Sequence, residues 1–122
     1  MGARGLKERA REVKTFVETN LGPHFQAEEE VLFPLMRSLV PESQPILESL
    51  LREHIHIRES VARLAEDSNL GKELFDLGDL LERHIRTEER ELFPLYESRV
   101  TTAEAEKLKP EIERILSVRD PN

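Results

Sequence analysis

The chain has 122 residues, enough for a modest hydrophobic core, and we expect a single domain over residues 1–122. It contains no cysteine, which excludes disulfides, zinc–thiolate sites and iron–sulfur clusters. The formal net charge of −7 argues against a general surface for nucleic acid or anionic membrane, and no apolar run approaches the roughly 20 residues that span a bilayer. We therefore expect a cytoplasmic protein that binds neither partner.

Helix formers dominate the chain, because Leu, Glu, Arg and Ala are frequent whereas aromatic residues make up 5% of it. Apolar residues at helical spacing predict a first helix over about 6–39, with a stripe that includes Phe16 and His24. Proline removes a helical hydrogen bond and crowds the preceding turn, so we expect a kink at Gly22–Pro23 and a second bend at Pro34.

The same periodicity predicts a second helix over about 44–67 and a third over about 72–98. The sequence Thr101-Thr102-Ala103-Glu104 has the form of a capping box and opens a final helical segment over about 102–117, which Pro110 interrupts. Short turns between long helices place neighbours antiparallel to one another. We therefore predict an all-α fold, an up-down antiparallel helical bundle.

The clearest motif in the chain is a helical stretch that occurs twice, sixty residues apart. In both copies, residues 24–35 and 84–95, a His is followed one turn later by a Glu and then by Leu-Phe-Pro-Leu. Residues at i and i+4 share a helix face, so each pair presents an imidazole nitrogen and a carboxylate to the same point. A third histidine, His54, lies thirty residues after His24 and thirty before His84. The candidate metal ligands are His24, Glu28, His54, His84 and Glu88.

Unpaired burial of Glu28 and Glu88 would cost several kcal/mol each, so a cation must face them. One candidate is the guanidinium of Arg58, which could join the imidazoles in a hydrogen-bonded core network. The interpretation that we favour is two divalent metal ions, because bridging carboxylates and terminal imidazoles satisfy such a pair. Glu29 and Glu89 are either solvated surface residues or partners that orient the ligands.

Taken as helix pairs, the repeat is incomplete. One pair carries His54 on its first helix and His84 with Glu88 on its second, whereas the helix that would precede His24 falls before Met1. We therefore expect that the first helix of a four-helix core is missing and that a short C-terminal helix is added. Three amphipathic helices leave an apolar flank exposed, and a homo-oligomer would cover it.

At these residues the chain resembles the hemerythrin-like proteins, the HHE cation-binding family. Three successive motifs of that family are matched by residues 24–34, by Glu53-His54 with Ile57-Arg58, and by residues 84–94. The resemblance covers about residues 6–99. It implies a four-helix bundle around a non-heme di-iron centre with an oxo or hydroxo bridge, often one that reacts reversibly with dioxygen.

The resemblance also assigns roles to the candidate ligands. It implies that His24, His54 and His84 are terminal ligands and that Glu28 and Glu88 bridge the two ions. Other members carry one more histidine on a preceding helix, and residues 1–23 of this chain contain none. The donor types suit iron, but zinc and manganese accept the same imidazole and carboxylate ligands.

Three functional hypotheses follow. The leading one is a non-heme iron protein that binds or senses dioxygen or a related small oxidant, as a carrier, sensor or scavenger. The second is iron handling, meaning storage, delivery or iron-dependent regulation, because a centre that lacks one ligand suits reversible occupancy. The third is a metal-free helical interaction module in which Arg58 replaces the ions.

Overall fold

The computed structural model describes residues 3–64 and 69–117, and nearly all of these are helical. They form four helices, which are α1 (residues 3–39), α2 (Gln44–Leu64), α3 (residues 70–99) and α4 (Thr102–Ser117). No strand occurs within these ranges, so the prediction of an all-α helical bundle is confirmed. The predicted end of the second helix, near residue 67, lies outside the described residues.

Helices α1 and α3 contain prolines, and a π-helical turn lies just before each one. In α1 these turns are Val17–Leu21 and Glu28–Leu32, and in α3 the turn is Glu88–Leu92. Each one ends two residues before a proline, at Pro23, Pro34 and Pro94. Proline has no N–H and crowds the carbonyl four residues back, so a wider turn lets the helix continue. At Gly22–Pro23, where the sequence predicts a kink, the helix is continuous and follows a π-helical turn.

The π-helical turns change which residues of α1 face the core. Phe16, predicted on the buried stripe, is 53% exposed, whereas Phe25 and Phe33 are buried. Glu28 and Phe33 are consecutive buried residues and lie five positions apart, whereas buried residues on an α-helix recur every three or four. The wider π-helical turn between them accounts for the extra residue. The predicted apolar stripe of α1 is therefore wrong at Phe16 and, as described below, at His24.

Two hydrophobic clusters fill the bundle. The first consists of Ala10, Val17, Phe25, Ile57, Val61, Leu64, Leu77 and Leu80. The second consists of Phe33, Met36, Val40, Leu47, Leu50 and Leu92. Along α2 and α3 the residues between the two clusters include His54, His84 and Glu88, all of which are buried. A buried polar layer thus lies between two apolar layers.

The C-terminal helix α4 packs against residues 22–32 of α1, and its Ile115 is buried. Its start is the predicted capping box, in which the Thr101 N–H donates to Glu104 Oε1 at 2.9 Å and the Glu104 N–H donates to Thr101 Oγ1 at 3.1 Å. The helix continues through Pro110, where the sequence predicts an interruption. Among the described residues, no helix is both long enough and apolar enough to cross a membrane.

Candidate metal centre

All five predicted ligands meet in the polar layer between the two clusters. His54 Nε2 lies 3.1 Å from Glu28 Oε1, and His84 Nε2 lies 3.0 Å from Glu88 Oε1. The two buried histidines face each other, with 3.2 Å between their Nε2 atoms. His24 Nε2 is farther away, at 3.6 Å from Glu28 Oε2. The repeated motif and the midway histidine therefore converge on one place.

The ligand atoms form two groups of three whose members lie within 4.8 Å of one another. We call Glu28, His54 and His84 the inner group, since all three are buried. We call His24, Glu28 and Glu88 the outer group, since the His24 side chain is 52% exposed. Glu28 belongs to both groups, with one carboxylate oxygen towards His54 and the other towards His24. That is the placement of a bridging carboxylate.

Two carboxylate oxygens of the centre have unmet bonding needs. Within the described residues, Glu28 Oε1 and Glu88 Oε2 are buried and have no hydrogen-bond partner. Leaving a buried polar atom unsatisfied costs about 1–3 kcal/mol, and more for a charged one. A metal ion bound by oxygen and imidazole nitrogen would satisfy both oxygens, so the donor set fits a divalent cation.

The guanidinium of Arg58 does not neutralise the carboxylates of Glu28 and Glu88, because it pairs with Glu29. Its Nη1 atom lies 2.9 Å from Glu29 Oε2, and the group sits over the ring of Phe25, 5.6 Å from the ring centroid. The alternative in which Arg58 neutralises Glu28 and Glu88 therefore disagrees with the structure. Arg58 instead holds an acidic residue at the edge of the centre.

Without a metal ion, the pKa values of the two buried glutamates are shifted in opposite directions. Burial, together with the hydrogen bond to Glu88, raises the pKa of Glu28 to about 10. Burial would also raise the pKa of Glu88, but hydrogen bonds with His84 and Glu28 outweigh it and hold that pKa below its usual value. Glu28 therefore carries the proton at neutral pH, and a bound cation would have to displace it.

The buried histidines are set up as nitrogen donors. Burial lowers the pKa of His54 to about 4, so its ring is neutral at pH 7 and keeps a nitrogen lone pair. For His84, burial opposes the charged form, but hydrogen bonds to Glu88 and Glu53 outweigh burial and raise the pKa. A metal ion that binds the Nε2 atom of His84 therefore competes with a proton for that nitrogen.

Each buried histidine is oriented by a carboxylate on the helix before it. His54 Nδ1 lies 2.6 Å from Glu29 Oε2, and His84 Nδ1 lies 2.7 Å from Glu53 Oε1. When Nδ1 donates to the carboxylate, Nε2 presents its lone pair to the centre, as in many metal-bound histidines. Glu29 thus has one of the two roles predicted for it, whereas Glu89 is exposed.

Sequence reasoning missed Glu53 as a partner of His84. Glu53 directly precedes His54, so it lies about a quarter-turn around α2 and faces the neighbouring helix rather than the centre. Glu29 directly follows Glu28 and reaches α2 in the same way. An acidic residue next in sequence to a buried ligand is the signal that could have identified both.

Two aromatic rings fix the position of the His54 imidazole. Phe25 stacks on it with 4.0 Å between centroids and an angle of 14° between the planes. Phe33 lies nearly parallel to it as well, at 5.8 Å and 17°. Phe25 also meets the His84 ring edge-on, at 5.4 Å. These contacts keep the inner group in an apolar surrounding with few alternative ring orientations.

Comparison with known proteins agrees with this geometry. The family model described as hemerythrin HHE cation binding domain matches residues 2–96. No curated protein and no solved structure matches the chain. The matched range contains all five candidate ligands as well as Glu29 and Glu53, and it ends before α4 begins. The chain therefore belongs to the hemerythrin HHE cation-binding domain family.

Proposed function

We propose that the protein holds two iron ions at this centre and uses them to bind or sense dioxygen or a related small oxidant. The single observation that carries the proposal is Glu28, a buried carboxylate that belongs to two ligand groups at once. Glu88 supports it, since it contacts His84 of the inner group and is itself a member of the outer group. Two bridging carboxylates are suited to a pair of ions rather than one.

In this proposal, His54 and His84 are terminal ligands on the inner side, and His24 is the terminal ligand on the outer side. Iron, when bound, supplies the oxygen-binding and redox chemistry that the side chains lack. The protein contributes the rigid geometry, because Glu29 and Glu53 orient the two inner rings. The clusters on either side exclude water from the inner group, which leaves the His24 side as the approach for an oxidant.

A second candidate function is iron handling, and the exposure of His24 favours it. The outer group has three protein donors, one of which is half exposed. An ion held by few donors at a solvent-accessible position exchanges more readily than one enclosed by the protein. Storage or delivery would use such exchange, whereas reversible oxidant binding requires that both ions stay in place.

The test is reconstitution of the metal-free chain with ferrous iron under anaerobic conditions, followed by metal analysis and near-ultraviolet absorption. We expect two irons per chain and absorption bands that change on addition of air, azide or peroxide. Two irons whose absorption does not respond to any of these would favour iron handling instead. A chain that retains no iron, and no zinc or manganese, would contradict the proposed metal centre.

A further inference from the structure

An open cleft of about 330 Å³ lies beside the outer group, between α1 and α3. Its floor contains three of the proposed ligands, His24, His84 and Glu88. The rest of its lining consists of one polar residue, Asn20, and four apolar ones, which are Leu21, Phe25, Leu81 and Ile85. The cleft thus joins a ligand-bearing floor to apolar walls that reach the surface, where Ile85 is 51% exposed.

The cleft is much larger than dioxygen requires. A molecule of water accounts for about 30 Å³ of liquid, and a diatomic ligand is of similar size, so it would use roughly a tenth of this space. Sites for small organic molecules begin at about 300 Å³. The volume beside the outer group therefore matches an organic ligand better than a diatomic one.

The chemistry of the cleft defines the kind of ligand. Two divalent ions would bring more positive charge than the carboxylates of Glu28 and Glu88 offset, so the end of the ligand that meets the floor should be an anion with oxygen donors. The other end would contact Leu21, Leu81 and Ile85, which favour hydrocarbon. A short-chain carboxylate has both ends.

Building on the proposed metal centre, we propose that this cleft binds a small carboxylate with an apolar chain. The carboxylate group of the ligand lies at the outer group near His24 and Glu88, and its hydrocarbon chain lies along Leu81 and Ile85. The cleft then gives the centre a preference among ligands that a hydrated, open position would lack.

The experiment uses the full chain loaded with zinc, which has no redox chemistry, and titrates it calorimetrically with acetate, butyrate and hexanoate. Each methylene buried against the walls should tighten binding by up to about fourfold. Azide serves as a small control anion that can bind the metal ions at the floor of the cleft but is too short to contact its apolar walls. The metal-free chain, titrated in parallel, should bind none of these probes.

A matched pair of variants locates the apolar part of the site. Ile85→Ser removes one wall of the cleft and should lower hexanoate affinity several-fold while acetate and azide affinities stay the same. Ile55→Ser is the control, because Ile55 is 56% exposed on α2 and lies outside the cleft. It should leave all of these affinities unchanged.

Equal affinities for acetate and hexanoate in the unaltered chain would overturn the inference, as would hexanoate binding to the metal-free chain. If the protein sediments as a stable dimer at micromolar concentration and the length of the ligand's carbon chain has no effect, the inference is likewise overturned, and a second copy of the protein becomes the better candidate for covering the cleft. In each of these cases, two retained ions and a response to azide would leave the proposed function intact. Failure to retain metal would overturn both.

Discussion

His24 and His84 hold the same place in the repeated motif, but the structure surrounds them differently. His84 is 1% exposed, its Nδ1 atom is hydrogen-bonded to Glu53, and its Nε2 atom contacts both His54 and Glu88. His24 is 52% exposed and lies 3.6 Å from Glu28. Both histidines have a glutamate one turn later, so the motif itself does not explain the difference.

Besides the π-helical turn that precedes His24, the neighbouring helices contribute to the difference. Helix α2 packs against α3 and supplies both Glu53 and His54 to the face that carries His84. On α1, helix α4 packs against residues 22–32, and the His24 side chain borders the open cleft. A His-x-x-x-Glu motif thus supplies the donors, while the adjacent helix determines how well they are enclosed and oriented.

The largest effect should come from the residue that both groups share. Because Glu28 belongs to the inner and the outer group, we expect Glu28→Gln to reduce the metal content from two ions per chain to nearly none. The measurement is metal analysis after reconstitution with iron. Glu30→Gln is the control, since Glu30 is exposed on the same helix. Full retention of both ions by Glu28→Gln would rule out a bridging role.

A comparison of His84→Gln with His24→Gln tests the contrast between the two groups directly. His84→Gln should remove the inner ion and weaken the outer one, because Glu88 loses the ring that it contacts. His24→Gln leaves the inner group intact, so one tightly held ion per chain should remain. Metal counts and chelator competition measure both. Equal losses in the two variants would show that the inner and outer groups do not differ as ligands.

These contrasts separate what the sequence can predict from what it cannot. The i and i+4 spacing of His24 with Glu28 and of His84 with Glu88 is a property of any helix, so their shared faces follow from sequence alone. The position of His54 midway in the chain suggests convergence, and the structure brings it to the same centre. The all-α fold is likewise a consequence of local periodicity.

The parts that sequence reasoning missed depend on tertiary packing. A π-helical turn before Pro23 shifts the buried face of α1, so Phe16 is exposed where simple periodicity places it inside. The choice of Glu29 as the partner of Arg58 depends on how α1 packs against α2. No spacing rule along a single helix contains that information.

A smaller effect is expected from the carboxylates that orient the inner rings. Glu29→Gln and Glu53→Gln should each weaken metal binding by roughly 10- to 100-fold, because the Nδ1 hydrogen bonds of His54 and His84 lose their charged acceptors. Chelator competition gives the affinities. Glu89→Gln provides the control, since Glu89 is exposed at the position after Glu88. If Glu89→Gln were as harmful as Glu53→Gln, orientation through Nδ1 would not be the cause.

The last effect concerns the stability of the metal-free protein, to which Glu28 and His54 contribute with opposite dependence on pH. The folded protein keeps a proton on Glu28 up to about pH 10, whereas the unfolded chain releases it near pH 4.5. The stability that Glu28 contributes is thus greatest below pH 4.5 and declines as the pH rises. His54 stays neutral down to about pH 4, so its contribution declines as the pH falls below 6.5.

Above pH 6.5 the Glu28 contribution should dominate this pair, because His54 is then neutral in both states. We expect the free energy of unfolding of the metal-free chain to fall by up to about 1.4 kcal/mol per pH unit from pH 7 to pH 9. In Glu28→Gln most of that loss should disappear, and the remainder is the part due to His84, whose raised pKa also makes its stabilisation decline as the pH rises above 6.5. Denaturant unfolding at three pH values would detect the difference between the two proteins. If the free energy of unfolding changes with pH to the same extent in both proteins, Glu28 carries no proton in the folded state and another cation neutralises its charge.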